Sequence, residues 1–460
     1  MLSVIHRRLI FLSCFLLFFF DCPAAQTVGV SSDQVWQVGA RRWNIIEEQR
    51  FANWVESTIT EDFFIDHNIP IDCADVPYAI RWIYARIAHL PAAATMQDGQ
   101  LIGHWSTAWK DFPTDSEWFR DRRFKMSLLH LLRQTSTRTL PADTYPIRID
   151  LDSVMPGSIF IGYGHAGIIG RIVLDGSTYS PVQTWEATLP RKIKKLSEKN
   201  YFAARADINI GSGLMRFRWP IPSGNRWKYL SKEEHPFYSM GQYGPDFNHT
   251  GSLFGEEVAK RIDPTPYDPR EKARLIIRSI YTYLLERVAL VQEGYRQCLQ
   301  RDCAEGSYLW EAYSTPSRDD RLAFKINHLR RIIKYNNLDE GPLHKIMEEL
   351  AIPVNEQLTV TVDYVVQNYR WLSHDPAAPI DARWGLRKCE MILVEMDAIL
   401  QALDFVKKRY SITNASYYER RRQMNLADLR RLKQDGERSG CNTPDIPIPD
   451  IISPQPSPDR

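Results

Sequence analysis

Apolar residues first recur at helical spacing in Glu47–Ile59, where Phe51, Trp54 and Val55 share a face. The same period continues through Asp72–Ile87, which carries Val76, Ile80, Ile83 and Ile87 on one stripe. It returns in Glu117–Leu132, with Phe119, Phe124, Leu128, Leu129 and Leu132. Beyond Pro156-Gly157 the pattern becomes β-type. Ser158–Ile161 is a short apolar run, His165–Val173 is β-rich, and Val182–Thr188 returns after a turn signal at Asp175-Gly176. Ala206–Ile210 and Leu214–Trp219 read as two further strands around Gly211-Ser212-Gly213. Helices followed by an antiparallel sheet predict an α+β domain over residues 25–225.

From residue 226 to 270 the chain is rich in Pro, Gly and aromatics, which predicts an ordered connection. Residues 271–440 then read as an all-α domain. Its helical patterns cover Leu275–Tyr295, Arg321–Tyr335, Leu343–Leu350, Leu358–Leu372, Leu386–Tyr410 and Ala415–Lys433. The Pro-rich stretch 441–460 has no periodic apolar face, so disorder is expected there. No repeat period emerges, which argues against a solenoid.

The N-terminus changes the expected compartment. His6, Arg7 and Arg8 precede an uncharged run from Leu9 to Phe20, and small residues surround Ala24. This is the layout of a secretory signal peptide over residues 1–24, since a bilayer span needs about 20 apolar residues. A periplasmic or secreted protein is expected. Cys22 raises lipoprotein anchoring as the less favoured option, because Phe20 and Asp21 suit a lipidation site poorly. Removing the leader leaves Cys73, Cys298, Cys303, Cys389 and Cys441. In an oxidising compartment an odd number of thiols leaves one over. Cys298 with Cys303 and Cys389 with Cys441 are plausible pairs, leaving Cys73 free. The formal net charge of +2 favours neither nucleic acid nor a charged membrane surface as partner.

The candidate chemistry begins at that leftover thiol. Cys73 lies at the start of a helical stripe, where free N–H groups and the helix dipole favour a thiolate nucleophile. Pro77 cannot donate to the Cys73 carbonyl, so either the regular helix starts nearer Asp75 or that carbonyl is satisfied otherwise. His165 opens a strand among Gly162, Gly164 and Gly167, with open space around its ring. A hairpin turning at Asp175-Gly176 sets Glu186 opposite His165, in position to orient the imidazole as a triad carboxylate does. An even register shift offers Thr184 instead, and an odd one offers Gln183. The backbone N–H of Cys73 is the candidate oxyanion donor. Trp105, Trp109 and Trp118 are candidates for a substrate groove, though such spacing more often marks core. No His-Glu-x-x-His, paired Cys-x-x-Cys or phosphate-binding glycine loop is present, so no cofactor or metal is expected.

These residues resemble a known family. Asp72-Cys73-Ala74 before an amphipathic helix is similar to the Asp-Cys-Ser-Gly start of the NlpC/P60 cysteine peptidases. Pro156-Gly157-Ser158-Ile159 resembles their Pro-Gly-Asp segment. His165-Ala166-Gly167-Ile168-Ile169-Gly170 resembles their His-Val-Gly-Ile-Tyr-Ile-Gly strand. Trp185-Glu186-Ala187 is similar to a Glu-Ala element of the YiiX-like branch. The resemblance spans Asp72 to Thr188 and implies a papain-like fold and amide hydrolysis in cell-wall peptides. Ala74, Asp75 and Ser158 depart from the pattern, and a segment around His89–Tyr145 lengthens the Cys-to-His separation. The expectation is a cysteine peptidase or amidase with Cys73 as nucleophile, His165 as base and Glu186 as orienting group. It would act on peptide or peptidoglycan, with the helical half as lid, oligomerisation surface or platform for a protein partner. A transglutaminase-like acyl transferase and an inactive envelope binding protein are the alternatives. A thiol titrating near 8.5 or above would favour the last of these.

Overall fold

A computed structural model describes residues 33–162, 164–200, 206–248, 254–410 and 415–444. The expected signal segment and residues 445–460 of the Pro-rich tail lie outside the described residues. The described chain is mixed α+β.

Three long helices lead the described chain, with short helical turns between and after them. Helix α1 (Ile45–Thr58) is capped by Asn44, whose side chain accepts the Glu47 N–H. Helix α2 (Asp75–Ile87) starts where Pro77 dictates, because no proline N–H exists to bond the Cys73 carbonyl. Helix α3 (Arg122–Gln134) is capped by Asp121, which accepts the Phe124 N–H at 2.9 Å. Six strands follow: β1 (Thr144–Pro146), β2 (Ile159–Gly162), β3 (His165–Ile172), β4 (Val182–Glu186), β5 (Ser197–Asn200) and β6 (Gly213–Phe217). They form one antiparallel sheet in the order β1-β6-β2-β3-β4-β5. One face buries Ile159, Ala166, Ile168 and Met215 against Val55, Val76, Ile80 and Ile83 of the helices. The other buries Tyr145, Phe160, Ile169, Val182 and Leu214 against Phe237, Phe247, Phe254 and Val258. Each such aliphatic or aromatic side chain stabilises the fold by about 1.5–3 kcal/mol on full burial. Both faces being covered explains why β3 reads as a nearly continuous apolar run.

Two expectations need correction: residues 271–440 are not all-α, since Ala351–Pro353 and Thr359–Thr361 pair as an antiparallel hairpin, and one expected strand does not form. Ala206–Ile210 is not a strand. Asp207 captures the Asn209 N–H at 3.0 Å, and Ile208–Ile210 closes as one 3₁₀ turn ending at Gly211, φ 63°. The fifth strand of the sheet is instead Ser197–Asn200, whose residues Ser-Glu-Lys-Asn carry no apolar alternation, as suits a charged edge.

Helix α4 (Phe254–Ile262) closes one face of the sheet, and helices α5 (Pro269–Cys298) and α6 (Pro316–Tyr335) pack on each other beyond it. Ile276, Ile277, Ile280 and Leu284 of α5 meet Leu322, Ile326 and Leu329 of α6 in a separate core. Asp319 of α6 accepts two hydrogen bonds from buried Arg287 of α5 at 2.8 and 2.9 Å. Helices α7 (Lys388–Tyr410) and α8 (Ala415–Arg438) form a terminal hairpin. Disulfides join Cys298 to Cys303 and Cys389 to Cys441, and Cys73 is a free thiol. Among the described residues no helix is long and apolar enough to cross a membrane.

Candidate active site

Cys73 is held by the segment that precedes α2. Ile71 exchanges backbone hydrogen bonds with Lys192, at 3.1 and 3.3 Å, tying this segment to the loop after β4. The Asp72 N–H donates to Asp75 at 2.8 Å, and the Ala74 N–H to Asp72 at 3.2 Å. Arg191 then grips both carboxylates from outside, at 2.6 and 3.1 Å to Asp75 and 2.9 Å to Asp72. The result is a braced turn with the sulfur on its inner side. The backbone of Ala74 and of Ala166 lies close enough to that sulfur to favour its ionised form, and α2 packs on β3. Ala166 directly follows His165, so the fold brings the helix tip to the head of β3. The Cys73 N–H has no hydrogen-bond partner among the described residues, which leaves it available to an oxyanion.

The histidine and the carboxylate meet, by a different route from the one the sequence suggests. The β3–β4 connection is no two-residue turn at Asp175-Gly176. The ladder runs out to Ile172↔Val182, and a backbone bond from Val173 to Pro181 at 2.8 Å closes a longer loop. A bulge between Ile169 and Arg171 shifts the pairing again. From Ile168↔Trp185, the next step sets Gly167, not His165, opposite Glu186. Glu186 therefore reaches diagonally, and its Oε2 lies 2.7 Å from His165 Nε2. Gly167 makes this possible: a Cβ there would stand 2.9 Å from Glu186 Cγ and 2.5 Å from the Phe160 ring. Thr184 donates its hydroxyl to Glu186 Oε1 at 2.8 Å, so it supports the carboxylate. Gln183 turns away to Ser180 and Asn200.

Cations from two elements complete the surroundings. Arg321 of α6 donates to the same Glu186 Oε2, at 3.2 Å. Arg318, one turn earlier, donates to the Leu189 carbonyl at 3.1 Å. Burial alone would raise the Glu186 carboxyl, but the His165 hydrogen bond and Arg321 hold it down at about 2. Burial, reinforced by Arg321, pushes His165 below its ordinary value against the pull of Glu186. Both shifts describe one neutral-pH state: ionised Glu186 and neutral His165. The Nε2–H then points at the carboxylate, and Nδ1 keeps its lone pair.

The thiol departs from the sequence expectation. Burial, followed by the charges of Asp72 and Asp75, pushes Cys73 up to about 12, outweighing the two backbone donors. Burial and the charge of Asp72 also push the Asp75 carboxyl up to about 8, against Arg191. Cys73 is therefore a resting thiol and not a preformed thiolate. Iodoacetamide should modify it slowly at about pH 7, with a rate that climbs roughly tenfold per pH unit beyond pH 9. The mass of the Cys73 peptide follows this cleanly, because Cys298, Cys303, Cys389 and Cys441 are paired. A rate that levels off below about pH 8 would contradict this environment.

Sequence reasoning missed Arg191, Arg318 and Arg321. Arg191 follows Leu189-Pro190 in a loop without periodicity, and α6 carries arginines around much of its surface. The tryptophans divide. Trp118 is core, against Phe63 and Phe124, while Trp105 stacks on Trp227 with centroids 5.7 Å apart. A cavity of about 740 Å³ lies elsewhere, between the β3–β4 loop, α4 and the start of α5, and neither Cys73 nor His165 lines it. Among the described residues no cluster of side chains suits a metal ion. Comparison with known proteins returns no match, whether to a family profile, a curated protein or a solved structure.

Proposed function

We propose that this chain is an exported cysteine hydrolase that cleaves amide bonds, with a papain-like arrangement of Cys73, His165 and Glu186. The observation that carries the proposal is the bond between neutral His165 Nε2 and Glu186 at 2.7 Å, with the backbone of the next residue, Ala166, close to the Cys73 sulfur. His165 Nδ1 is the base that receives the thiol proton. With the thiol raised and the imidazole neutral, proton transfer accompanies attack of Sγ on the amide carbon. The Cys73 N–H donates to the oxygen that becomes negative. His165 then returns its proton to the leaving amine. A water deprotonated by the same ring clears the thioester, releasing a carboxylic acid and free Cys73.

The substrate proposed is a cell-wall peptide, on the family resemblance of Asp72-Cys73 and His165–Gly170. The test is mass spectrometry of peptidoglycan fragments and of free amide peptides after incubation with the protein. New termini with an added water are expected. Products joined to an added primary amine would indicate the transglutaminase-like alternative instead. Intact substrate throughout would remove the hydrolase reading.

One observation favours a second reading, an inactive envelope binding protein: the Cys73 thiol is raised to about 12, where a preformed nucleophile is lowered. Glu186→Gln separates the two. In a hydrolase it lowers kcat by about 10²–10⁴-fold, because the amide no longer holds the ring or offsets an imidazolium. An inactive binding protein has no turnover for the change to lower.

A further inference from the structure

Between the sheet and helices α5 and α6 lies a cavity of about 80 Å³, lined among others by Glu186, Lys199, Tyr283, Arg287, Arg318 and Arg321. Most of its charges are committed. Lys199 pairs with Glu286, Arg287 with Asp319, and Arg321 with Glu186. Arg318 is different. Its guanidinium touches only the carbonyl oxygens of Ser314, at 2.8 Å, and Leu189, at 3.1 Å, and among the described residues no carboxylate lies within ion-pair distance. Arg321 adds a second unmet donor, since its Nε is buried without a partner. A desolvated guanidinium facing only carbonyl dipoles is left short of negative charge, and a fork of N–H donors matches a carboxylate. The Tyr283 hydroxyl, donating to the Arg318 carbonyl at 2.6 Å, fixes that turn of α6. Glu186, which bonds His165, lines the cavity, so the cavity lies directly behind the base.

We propose that this cavity is a subsite for a carboxylate on the substrate, close to the scissile amide, with Arg318 as its principal partner and Arg321 Nε as the second donor. The volume admits a carboxylate, being several times the room one water needs. This gives the helical half a stated part in substrate choice: it selects peptides acidic next to the bond cut. The inference rests on the hydrolase reading for its orientation towards Cys73.

The experiment is calorimetric titration of Cys73→Ala protein with two doubly capped peptides, acetyl-Ala-Glu-Ala-amide and acetyl-Ala-Gln-Ala-amide. At low salt the glutamate peptide should bind at least about tenfold more tightly, as a carboxylate that satisfies a buried guanidinium does. Arg318→Ala should erase the difference, and Arg318→Lys should restore part of it by returning charge without the fork. Acetate should displace the glutamate peptide if the carboxylate is what the site reads. Equal binding of the two peptides, binding of neither, or preference unchanged in Arg318→Ala would overturn the inference. The comparison of peptides on one protein keeps the result independent of whether any arginine variant folds. Turnover by the wild-type chain is scored separately. Arg318-dependent binding without cleavage would sink the hydrolase reading and leave the subsite, whereas equal cleavage and binding of both peptides would do the reverse.

Discussion

Cys73→Ala should abolish amide cleavage, with kcat falling by about 10⁶-fold, the scale on which removing a triad nucleophile acts. No neighbour can replace the sulfur. The other four cysteines of the described chain are locked in disulfides, and Asp72 and Asp75 are held by Arg191. The fold should tolerate the change. The turn that carries Cys73 is braced by Asp72, Asp75, Arg191 and the Ile71–Lys192 bridge, none of which uses the sulfur. Deleting one small, partly exposed atom costs at most about 1–1.5 kcal/mol. Product release from a peptidoglycan or peptide amide and a melting curve on the same sample check both halves. Full activity in the variant would remove Cys73 from the chemistry. Loss of activity with loss of the fold would be a structural effect, and Cys73→Ser, which restores volume and a hydroxyl, would then be the informative form.

How far the sequence led to this site depends on the range of each interaction. Pro77 acts on a carbonyl four residues away, and of the two options that this local rule left open the fold takes the later start, at Asp75. Cysteine parity required one leftover thiol, and the two suggested pairings, both of which form, leave Cys73 as that thiol. Glu186, and neither Thr184 nor Gln183, is the residue that bonds His165, though not through the pairing expected of it. A bulge and a longer loop moved the register, and a glycine at position 167 opened the diagonal path that restored the contact. No local pattern contains such compensations, since they arise from a strand meeting its neighbour. The polar edge strand Ser197–Asn200 was invisible for a related reason, as it pairs through backbone and hides no apolar face. Arg318 and Arg321 stood furthest from reach. They come to Glu186 and Leu189 across more than 120 residues of chain, from a helix whose periodicity reports only its own core. The raised thiol belongs to the same class. Helix-start placement predicts a lowered value, but burial and two flanking carboxylates outweigh it once the chain is folded.

The sheet that presents His165 depends on a single buried carboxylate, and Glu48→Ala should destabilise it by about 3–5 kcal/mol. Glu48 leaves α1 to accept two bonds from Arg81 of α2, at 2.6 and 3.1 Å, one from Arg216 of β6 at 2.7 Å and one from the Trp219 indole at 2.7 Å. The Arg81 guanidinium is sandwiched in turn over the Trp43 ring, 3.2 Å from its centroid. Truncation to alanine strands two buried guanidiniums at the junction of α1, α2 and β6, and the penalty is chiefly that of uncompensated charge. Glu48→Gln keeps the volume and some hydrogen bonds but loses the charge, so it should fall between. Burial would raise this carboxyl, yet Arg81 and Arg216 hold it down at about 2. A depressed carboxyl contributes stability that is whole above its unfolded value, about 4.3, and disappears as pH falls through the folded one. The gap in urea midpoint between wild type and Glu48→Gln should therefore hold from about pH 7 down to about pH 5, then narrow towards pH 2. Hydrogen exchange should rise first in α1 and α2, whose backbones the carboxylate links to β6. A midpoint within about 0.5 kcal/mol of wild type, or a gap that widens on acidification, would mean that packing around Trp43 and Phe51 holds this junction without the charge.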